Sequence, residues 1–311
     1  MKISVVIPVY NEEGNVAPLV QQVYEALKPS GYDFETILID DGSKDNTVKE
    51  IKKLKDKNVV LIELRRNYGQ CPALKAGIDY ATGDYIATLD GDLQNDPADI
   101  IRMMDIIKDQ DCDVVTGIRA KRQDDVFLRK IPSKIANSIV RKVSGTNIID
   151  NGCAIKVFKS DIAKEIPLYG EMHRFIAIYA IKEGAKVEQI DVNHRARFSG
   201  ESKYGLGRTF KVLSDLILMR FRDKYGQKPM YLLGPLGLGS FAIGSMLLLY
   251  LLVLKCMGED IWGRPLIFAG LIFLSAGFQF LLIGIVLDLL MRTNHESQKK
   301  RIYNVRKTDR I

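Results

Sequence analysis

Short apolar runs alternate with amphipathic stretches through the first 120 residues. Runs rich in valine and isoleucine, separated by polar turn clusters, predict strands at residues 3–9, 34–39, 59–64, 85–89 and 114–116. Helices are predicted between them, for example at residues 15–27 and 47–55, the latter after a polar turn that can cap it. This βαβα order predicts an α/β fold with a mostly parallel sheet and helices on both faces. Ligands of such sheets bind at the carboxyl ends of the strands.

The pattern changes after residue 229, where residues 230–254 and 265–287 contain no charged side chain. Each run exceeds the ~20 residues that a helix needs to cross a hydrocarbon core. Soluble helices of this length usually keep a polar face, so two buried helices of a soluble domain are the weaker alternative. We therefore predict a transmembrane hairpin, with helices at about residues 230–254 and 265–290.

Charge around the hairpin indicates its orientation. The connecting loop at 255–264 balances basic and acidic residues, whereas the flanking segments are rich in lysine and arginine. The positive-inside rule then places both termini in the cytoplasm. Glycine and serine within the two runs would allow close helix approach, within one chain or between chains. We expect a homo-oligomer, a tetramer being one option.

Composition narrows the binding partners and the kinds of site that this chain can have. The net charge is +7, and the excess lies close to the apolar runs, which favours a membrane surface and phosphates over nucleic acid as partners. The four cysteines form no zinc-site or disulfide pattern. The apolar amino-terminal run is too short for a signal peptide. These features predict a cytoplasmic domain at residues 1–228, a membrane region at 229–291 and a basic cytoplasmic tail at 292–311.

Two stretches within the first of these regions combine apolar residues at helical spacing with basic ones, at residues 128–143 and 209–223. Such a basic amphipathic helix can lie in the headgroup region of a bilayer. An ordinary surface helix packed on the domain is an equal alternative for both stretches.

Acidic residues follow three of the predicted strands, in the motifs V-Y-N-E at 9–12, D-D-G-S at 40–43 and D-G-D-L-Q at 90–94. Carboxylates clustered above a parallel sheet repel one another unless a cation or ligand donors neutralise them. The arrangement therefore calls for a bound metal, or for base and ribose hydroxyls as ligands.

These motifs resemble the family 2 glycosyltransferases, which have a nucleotide-sugar-binding fold of the GT-A type. The resemblance implies a nucleotide-sugar donor, with Mg²⁺ or Mn²⁺ on its diphosphate between Asp90 and Asp92. It also implies residues that hold the nucleoside or border the metal site, namely Pro8, Tyr10, Glu12, Asp40, Asp41 and Gln94.

Three later motifs, D-N-G-C at 150–153, M-H-R-F at 172–175 and the 194–204 segment, resemble the polyprenyl-phosphate glycosyltransferases, which include bacterial undecaprenyl-phosphate enzymes and dolichol-phosphate mannose synthases. Arginine is well suited to gripping phosphate oxygens. By the family pattern, the acceptor phosphate would be bound by Arg119, Arg129 and Ser133. Arg195, Arg197 and Lys203 would engage the donor diphosphate or close over it. For Arg129 and Arg197 a solvated basic face is an open alternative.

The implied reaction moves one sugar, with inversion, onto undecaprenyl or another polyprenyl phosphate at the cytoplasmic face of a bacterial inner membrane. A phosphate monoester is largely dianionic at neutral pH, so it can attack the anomeric carbon without a strong base. We expect the catalytic residues to be Asp92, Arg119 and Asp150, the last as an acid, a base or a ligand of sugar hydroxyls. A structural role for Asp150 is an equal alternative.

The sugar is not readable from the sequence, and the bacterial resemblance makes UDP-glucose the first guess. The Q-x-x-R-W pattern expected of processive polysaccharide synthases is missing from the sequence. Two alternatives stay open, transfer to another membrane lipid acceptor and a non-catalytic membrane protein that binds nucleotide-sugar. His173 is interpreted as a structural or acceptor-side residue, and Trp262 as an interfacial anchor.

Overall fold

A computed structural model describes residues 1–119, 140–141, 144–166, 168, 172–195, 230–297 and 302–311. The described residues before 216, together with those after 300, form one compact unit, and the residues between form a second. The first unit contains the sheet and the motif residues, and the second contains the two long apolar helices.

The first unit is built on a sheet that has eight strands among the described residues. The strands are β1 (Lys2–Val9), β2 (Asp33–Asp40), β3 (Val59–Leu64), β4 (Tyr85–Thr88), β5 (Val114–Ile118), β6 (Lys156–Lys159), β7 (Val187–Asp191) and β8 (Val305–Arg310). Their order is β7-β5-β6-β4-β1-β2-β3-β8. Pairings β1–β2, β1–β4, β2–β3 and β5–β7 are parallel, and the other three are antiparallel. The predicted mostly parallel sheet is confirmed.

The helices described in this unit are α1 (Val16–Leu27), α2 (Thr47–Lys53), α3 (Gln70–Tyr80), α4 (Asp99–Asp109), α5 (Ser160–Glu165) and α6 (Ile176–Lys182). Short 3₁₀ turns lie at Lys28–Ser30 and Met172–Arg174. Each strand predicted from the sequence exists, with ends that differ by at most two residues. Helix α2 ends two residues earlier than predicted, and Lys55 just beyond it has a φ of +48°, outside the helical region.

Both faces of the central strands are covered. On one face Ile3, Val5 and Ile7 of β1 join a buried cluster with apolar residues of α1 and α4. On the other face α3 lies so close that a Cβ at Gly77 would stand 2.3 Å from Val6 Cγ1. Alternate residues of a strand point to opposite faces, and β1 is apolar on both because it is buried on both. Helices therefore cover both faces, as predicted.

The described residues of the second unit form a pair of contacting helices, α7 (Met230–Cys256) and α8 (Pro265–Ser297). Both are long and apolar enough to cross a membrane, over Met230–Cys256 and Pro265–Leu287. Glycines at their contact allow the backbones to approach closely: a Cβ at Gly244 would lie 2.7 Å from Leu274 N, and one at Gly277 would lie 2.8 Å from Gly237 O. The predicted helical hairpin matches this packing, and Trp262 in its loop is exposed.

Strand β8 of the first unit was not predicted from the sequence, because the tail was interpreted only by its charge. It pairs antiparallel with β3 at the outer edge of the sheet. The amphipathic stretch at 209–223 lies outside the described residues, as does almost all of 128–143, so their placement at a membrane surface stays a prediction.

Candidate active site

The three acidic motifs lie at one edge of the sheet. Strand β1 stands between β2 and β4 and is parallel to both, so the three strands end at the same side. The loops after β1 and β4 are in contact, since a Cβ at Gly91 would lie 3.1 Å from Val9 Cγ1 and 3.7 Å from Glu12 Cγ. Pro8 and Tyr10 are half-buried at this edge. The fold thus brings together residues such as Val9 and Gly91, which are 82 positions apart in the sequence.

The loops after β1 and β2 hold each other through hydrogen bonds. Asn11 N donates to Ser43 Oγ at 2.9 Å, and Lys44 N donates to Asn11 Oδ1 at 2.8 Å. Glu12 N donates to Thr47 Oγ1 at 2.8 Å. Asn11 has a φ of +53°, a left-handed conformation that asparagine tolerates better than most residues. The edge is therefore a connected structure with little freedom to rearrange.

The two carboxylates that end β2 are buried and differ in their partners. Asp41 accepts backbone N–H groups from Tyr68 at 2.7 Å and Gly69 at 2.8 Å. Burial raises the pKa of the Asp41 carboxyl to about 6, although these two bonds act to lower it. Asp40 accepts Ser43 N at 3.2 Å, and burial raises its pKa as well. A carboxylate held in this way keeps lone pairs for a ligand hydroxyl or N–H.

Asp90 and Asp92 follow β4 and influence each other. Burial, together with the charge of Asp92, raises the pKa of Asp90 to about 6. Gln70 Nε2 donates to Asp90 Oδ1 at 2.8 Å, and Gln94 N donates to Asp92 Oδ1 at 3.2 Å. Leu93, which lies between Asp92 and Gln94, has a φ of +62°, which is strained for a branched residue. The surrounding loop therefore imposes the geometry of this pair.

This pair has the chemistry of a divalent cation site. In the described part of the chain, no group of three or more His, Cys, Asp or Glu side chains is placed to hold a metal. Mg²⁺, however, is often bound by one or two carboxylates and completes its shell with water and substrate phosphates. The charge of Asp92 acts to raise the pKa of Asp90, so a neighbouring cation would relieve the repulsion between the two carboxylates. The residues therefore fit Mg²⁺ or Mn²⁺ bound together with a diphosphate.

Arg119 and Asp150, which the sequence analysis gave separate roles, form a largely buried ion pair. Arg119 Nε and Nη2 donate to the two Asp150 oxygens at 2.7 and 2.8 Å, and Arg119 N donates at 3.2 Å. The two side chains are 12% and 10% exposed. Burial acts to lower the pKa of Arg119, but the hydrogen bonds and charge of Asp150 raise it overall. The guanidinium is therefore fixed in orientation and permanently charged.

The sequence analysis missed Lys156, whose ammonium group is buried beneath this region. Lys156 donates to the carbonyl of Cys153 and lies in the field of Asp90 and Asp150. Burial lowers its pKa, and the nearby acidic groups oppose that change. A lysine inside the apolar run at 153–158 was the available signal, because a charge in a buried strand needs a partner.

His173 and Arg174 of the M-H-R-F motif interact electrostatically with groups of this region. The charge of Arg174 acts to lower the pKa of Asp90, against the larger effect of burial. Burial, reinforced by the charges of Arg174 and Lys156, lowers the pKa of His173 to about 3. A histidine with this pKa is neutral at physiological pH and is a poor proton acceptor there. The reading of His173 as structural or acceptor-side agrees with this electrostatic environment.

The arginine-rich segment is described only at its start. Arg195 N donates to Gln94 O at 2.8 Å, and the Arg195 guanidinium pairs with Asp96 at 2.6 Å and with Gln22 Oε1 at 3.1 Å. It therefore lies beside the loop that carries Asp92. The four other predicted ligands lie outside the described residues, namely Arg129, Ser133, Arg197 and Lys203.

Solved structures with a similar fold are glycosyltransferases that differ widely in sequence. Glucosyl-3-phosphoglycerate synthase from Mycobacterium tuberculosis, in complex with Mn²⁺, UDP and phosphoglyceric acid, has a TM-score of 0.57 at 16% identity, over 70% of this chain and 78% of that chain. Mannosyl-3-phosphoglycerate synthase from Rubrobacter xylanophilus has a TM-score of 0.56 at 12% identity, over 73% and 76%. The predicted GT-A type fold is confirmed.

Relatives in sequence extend over nearly the whole chain. A dodecaprenyl-phosphate galacturonate synthase from Rhizobium johnstonii is 39% identical over 98% of this chain and 92% of its own length. An undecaprenyl-phosphate 4-deoxy-4-formamido-L-arabinose transferase from Proteus mirabilis is 32% identical over 98% and 93%. The predicted resemblance to polyprenyl-phosphate glycosyltransferases is confirmed. Residues 4–166 match the family described as Glycosyl transferase family 2, and the chain belongs to that family.

Proposed function

We propose that this protein transfers a single sugar from a nucleotide-sugar to undecaprenyl or another polyprenyl phosphate, with inversion, at the cytoplasmic face of a bacterial inner membrane. The observation that carries this proposal is the extent of the similarity to the galacturonate synthase. That similarity covers 98% of the chain and so includes α7 and α8 as well as the sheet. Similarity confined to the first unit would support only membership of the family.

The donor half of the proposal rests on the edge formed by β1, β2 and β4. Pro8, Tyr10, Glu12 and Asp41 would hold the nucleoside. Asp90 and Asp92 would hold Mg²⁺ or Mn²⁺, which when bound neutralises charge on the departing nucleoside diphosphate. The similar Mycobacterium tuberculosis enzyme was crystallised with Mn²⁺ and UDP, which supports this assignment through the fold.

The acceptor half rests on Arg119. Asp150 accepts two of its five guanidinium N–H groups, and the other three can bind phosphate oxygens. Asp150 would then act by orienting Arg119 rather than by moving a proton. The acceptor phosphate, dianionic near neutral pH, would attack the anomeric carbon as the nucleoside diphosphate leaves from the opposite side. Orientation and charge supply the catalysis, and no protein base is required.

The identity of the sugar is a separate question. UDP-glucose was the first guess from the sequence, whereas the two relatives are named for galacturonate and for 4-deoxy-4-formamido-L-arabinose. A donor panel should therefore contain all three sugars. The nucleotide should be tested as both UDP and GDP.

The test is a radiolabel transfer assay with full-length protein in detergent, undecaprenyl phosphate, and either Mg²⁺ or Mn²⁺. Asp92→Ala is the inactivating variant, and Asp105→Ala is the matched control because Asp105 is an exposed carboxylate on α4. We expect metal-dependent label in the organic phase, lost in Asp92→Ala and retained in Asp105→Ala. Folded protein that binds nucleotide yet forms no lipid product from any donor would instead favour another acceptor or a non-catalytic role.

A further inference from the structure

The chain continues beyond α8 into a segment that belongs to the first unit. Residues 302–311 end in β8, which pairs with β3 from Val60 to Leu64. Backbone bonds extend the pairing at both ends, from Arg65 N to Asn304 O at 3.1 Å and from Ile311 N to Val59 O at 3.0 Å. Tyr303, just before the strand, is 2% exposed. The segment is therefore an integral part of the sheet.

Two side chains of this segment contact a single stretch of the chain, residues 65–80, which we name the bridging segment. Asn304 Nδ2 donates to Tyr68 Oη at 3.3 Å. The Tyr303 hydroxyl donates to Asp79 Oδ2 at 2.9 Å. Tyr68 lies in the loop that opens the bridging segment, and Asp79 lies in the last turn of α3. The carboxyl-terminal residues thus hold both ends of the bridging segment.

The bridging segment in turn contacts two of the acidic motifs. Its Tyr68 and Gly69 N–H groups donate to the Asp41 carboxylate. Its Gln70 side chain donates to Asp90 Oδ1 at 2.8 Å. Consecutive residues 68, 69 and 70 therefore link the carboxylates that end β2 and β4. A small shift of this segment would move the donors on both carboxylates together.

We propose that Tyr303 and Asn304 are positioning residues of the donor site, acting through the bridging segment. The inference rests on the proposed function, in which Asp41 and Asp90 take the donor. In this role they would act on Asp41 and Asp90 indirectly, through their hydrogen bonds to Asp79 and Tyr68. Because residues 302–311 follow α7 and α8 in the chain, the donor site is completed only after both apolar helices have been synthesised.

The competing explanation is that the segment only closes the edge of the sheet. An open β3 would expose unpaired N–H and C=O groups, and β8 satisfies them whether or not the site is affected. The two explanations differ in what the side chains do. Edge closure depends on the backbone of β8, whereas positioning depends on the Tyr303 hydroxyl and the Asn304 amide.

The experiment uses full-length Tyr303→Phe and Asn304→Ala in detergent. Tyr303→Phe keeps the buried ring and removes only the hydroxyl. Lys307→Ala is the control, because Lys307 lies in β8, is exposed and pairs with Asp309 of the same strand. Binding of UDP and of GDP with Mn²⁺ is measured by calorimetry. Donor KM, acceptor KM, kcat, thermal unfolding and hydrogen exchange of residues 65–80 are measured on the same preparations.

We expect each variant to bind nucleotide about fivefold more weakly and to raise donor KM by the same factor, the value for one hydrogen bond worth about 1 kcal/mol. Acceptor KM and kcat should stay unchanged, exchange at 65–80 should be faster, and Lys307→Ala should match the wild type. Wild-type nucleotide affinity in both variants would overturn the inference. If the wild type binds neither nucleotide, the proposed function fails, and unchanged exchange at 65–80 would then overturn the inference separately.

Discussion

The Arg119–Asp150 pair offers a direct test of the site's electrostatics. Asp150→Asn keeps the shape of the side chain and removes its charge. It leaves a guanidinium that is 12% exposed without its counter-ion and weakens the bonds accepted from Arg119 Nε, Nη2 and N and from Gly152 N. Breaking a buried pair in this way costs about 3–5 kcal/mol. For a unit of this size, that loss lowers the unfolding temperature by roughly 6–20 °C.

The matched control is Glu50→Gln on α2. Its partner Lys53 lies at 2.6 Å, but the two side chains are 33% and 68% exposed. A solvated pair of this kind contributes about 0.5 kcal/mol or less, so the unfolding temperature should hardly change. Comparing the two carboxylate-to-amide changes separates burial from the mere loss of an ion pair.

The reactivity of the buried cysteines provides a measure of unfolding. Cys71, Cys112 and Cys153 are buried and become reactive toward a thiol-specific fluorophore on unfolding, while exposed Cys256 is first replaced by serine to remove background. Burial also raises the pKa of Cys153 to about 11, which keeps that thiol protonated in the folded protein.

Adding Arg119→Met completes a double-mutant cycle in the same assay. We expect the double variant to be more stable than Asp150→Asn alone, because the unpaired charge is gone. An Asp150→Asn variant as stable as Glu50→Gln would refute the assignment of this pair as a buried electrostatic anchor.

Three other changes have defined outcomes in thermal unfolding experiments. Gly42→Ala should cost at least 1 kcal/mol more than Gly31→Ala, since both positions have positive φ but only a Cβ at Gly42 meets backbone, at 2.7 Å; equal losses would contradict this. A pKa of about 3 for His173 keeps it neutral in the folded protein, whereas a histidine in the unfolded chain has a pKa of about 6.5. The stability that this difference contributes is fully present above the unfolded pKa and falls as the pH drops below it, by about 2 kcal/mol between pH 7 and pH 5. His173→Gln should lack this component, and an unchanged difference from wild type across pH would argue against it. Gly244→Val should destabilise the hairpin more than Gly239→Val, because a Cβ at Gly239 meets nothing within 4 Å; far-UV helicity on heating measures both.

Several parts of this protein were readable from the sequence because their signals are local. A strand buried on both faces reads as a run of valine and isoleucine, and a membrane-length helix reads as a run without charge. Acidic residues at strand ends predicted where β1, β2 and β4 would present their carboxylates. Strand and helix ends were less accurate, as at α2, because the last turn depends on single backbone angles.

Other features were decided only by the tertiary structure. The ion pair between Arg119 and Asp150 joins residues 31 positions apart, and nothing in the sequence around either residue indicates the other as its partner. The contact between Gln70 and Asp90 depends on the order of β3, β2, β1 and β4 in the sheet. The position of Gln70 after a strand was nevertheless a usable clue. Lys156 is buried near Asp90 because β6 pairs antiparallel with β4, an order that periodicity does not encode.

The carboxyl-terminal strand shows the same limit most clearly. Residues 305–310 read V-R-K-T-D-R, with four charged side chains among six, a composition that by itself indicates only a solvated tail. They form a strand because β3 presents an unpaired edge to them. Hydrophobic periodicity determined the elements of this protein within each stretch of sequence. Which elements meet, and therefore which side chains share a site, was determined by pairings between distant residues that have no local signature.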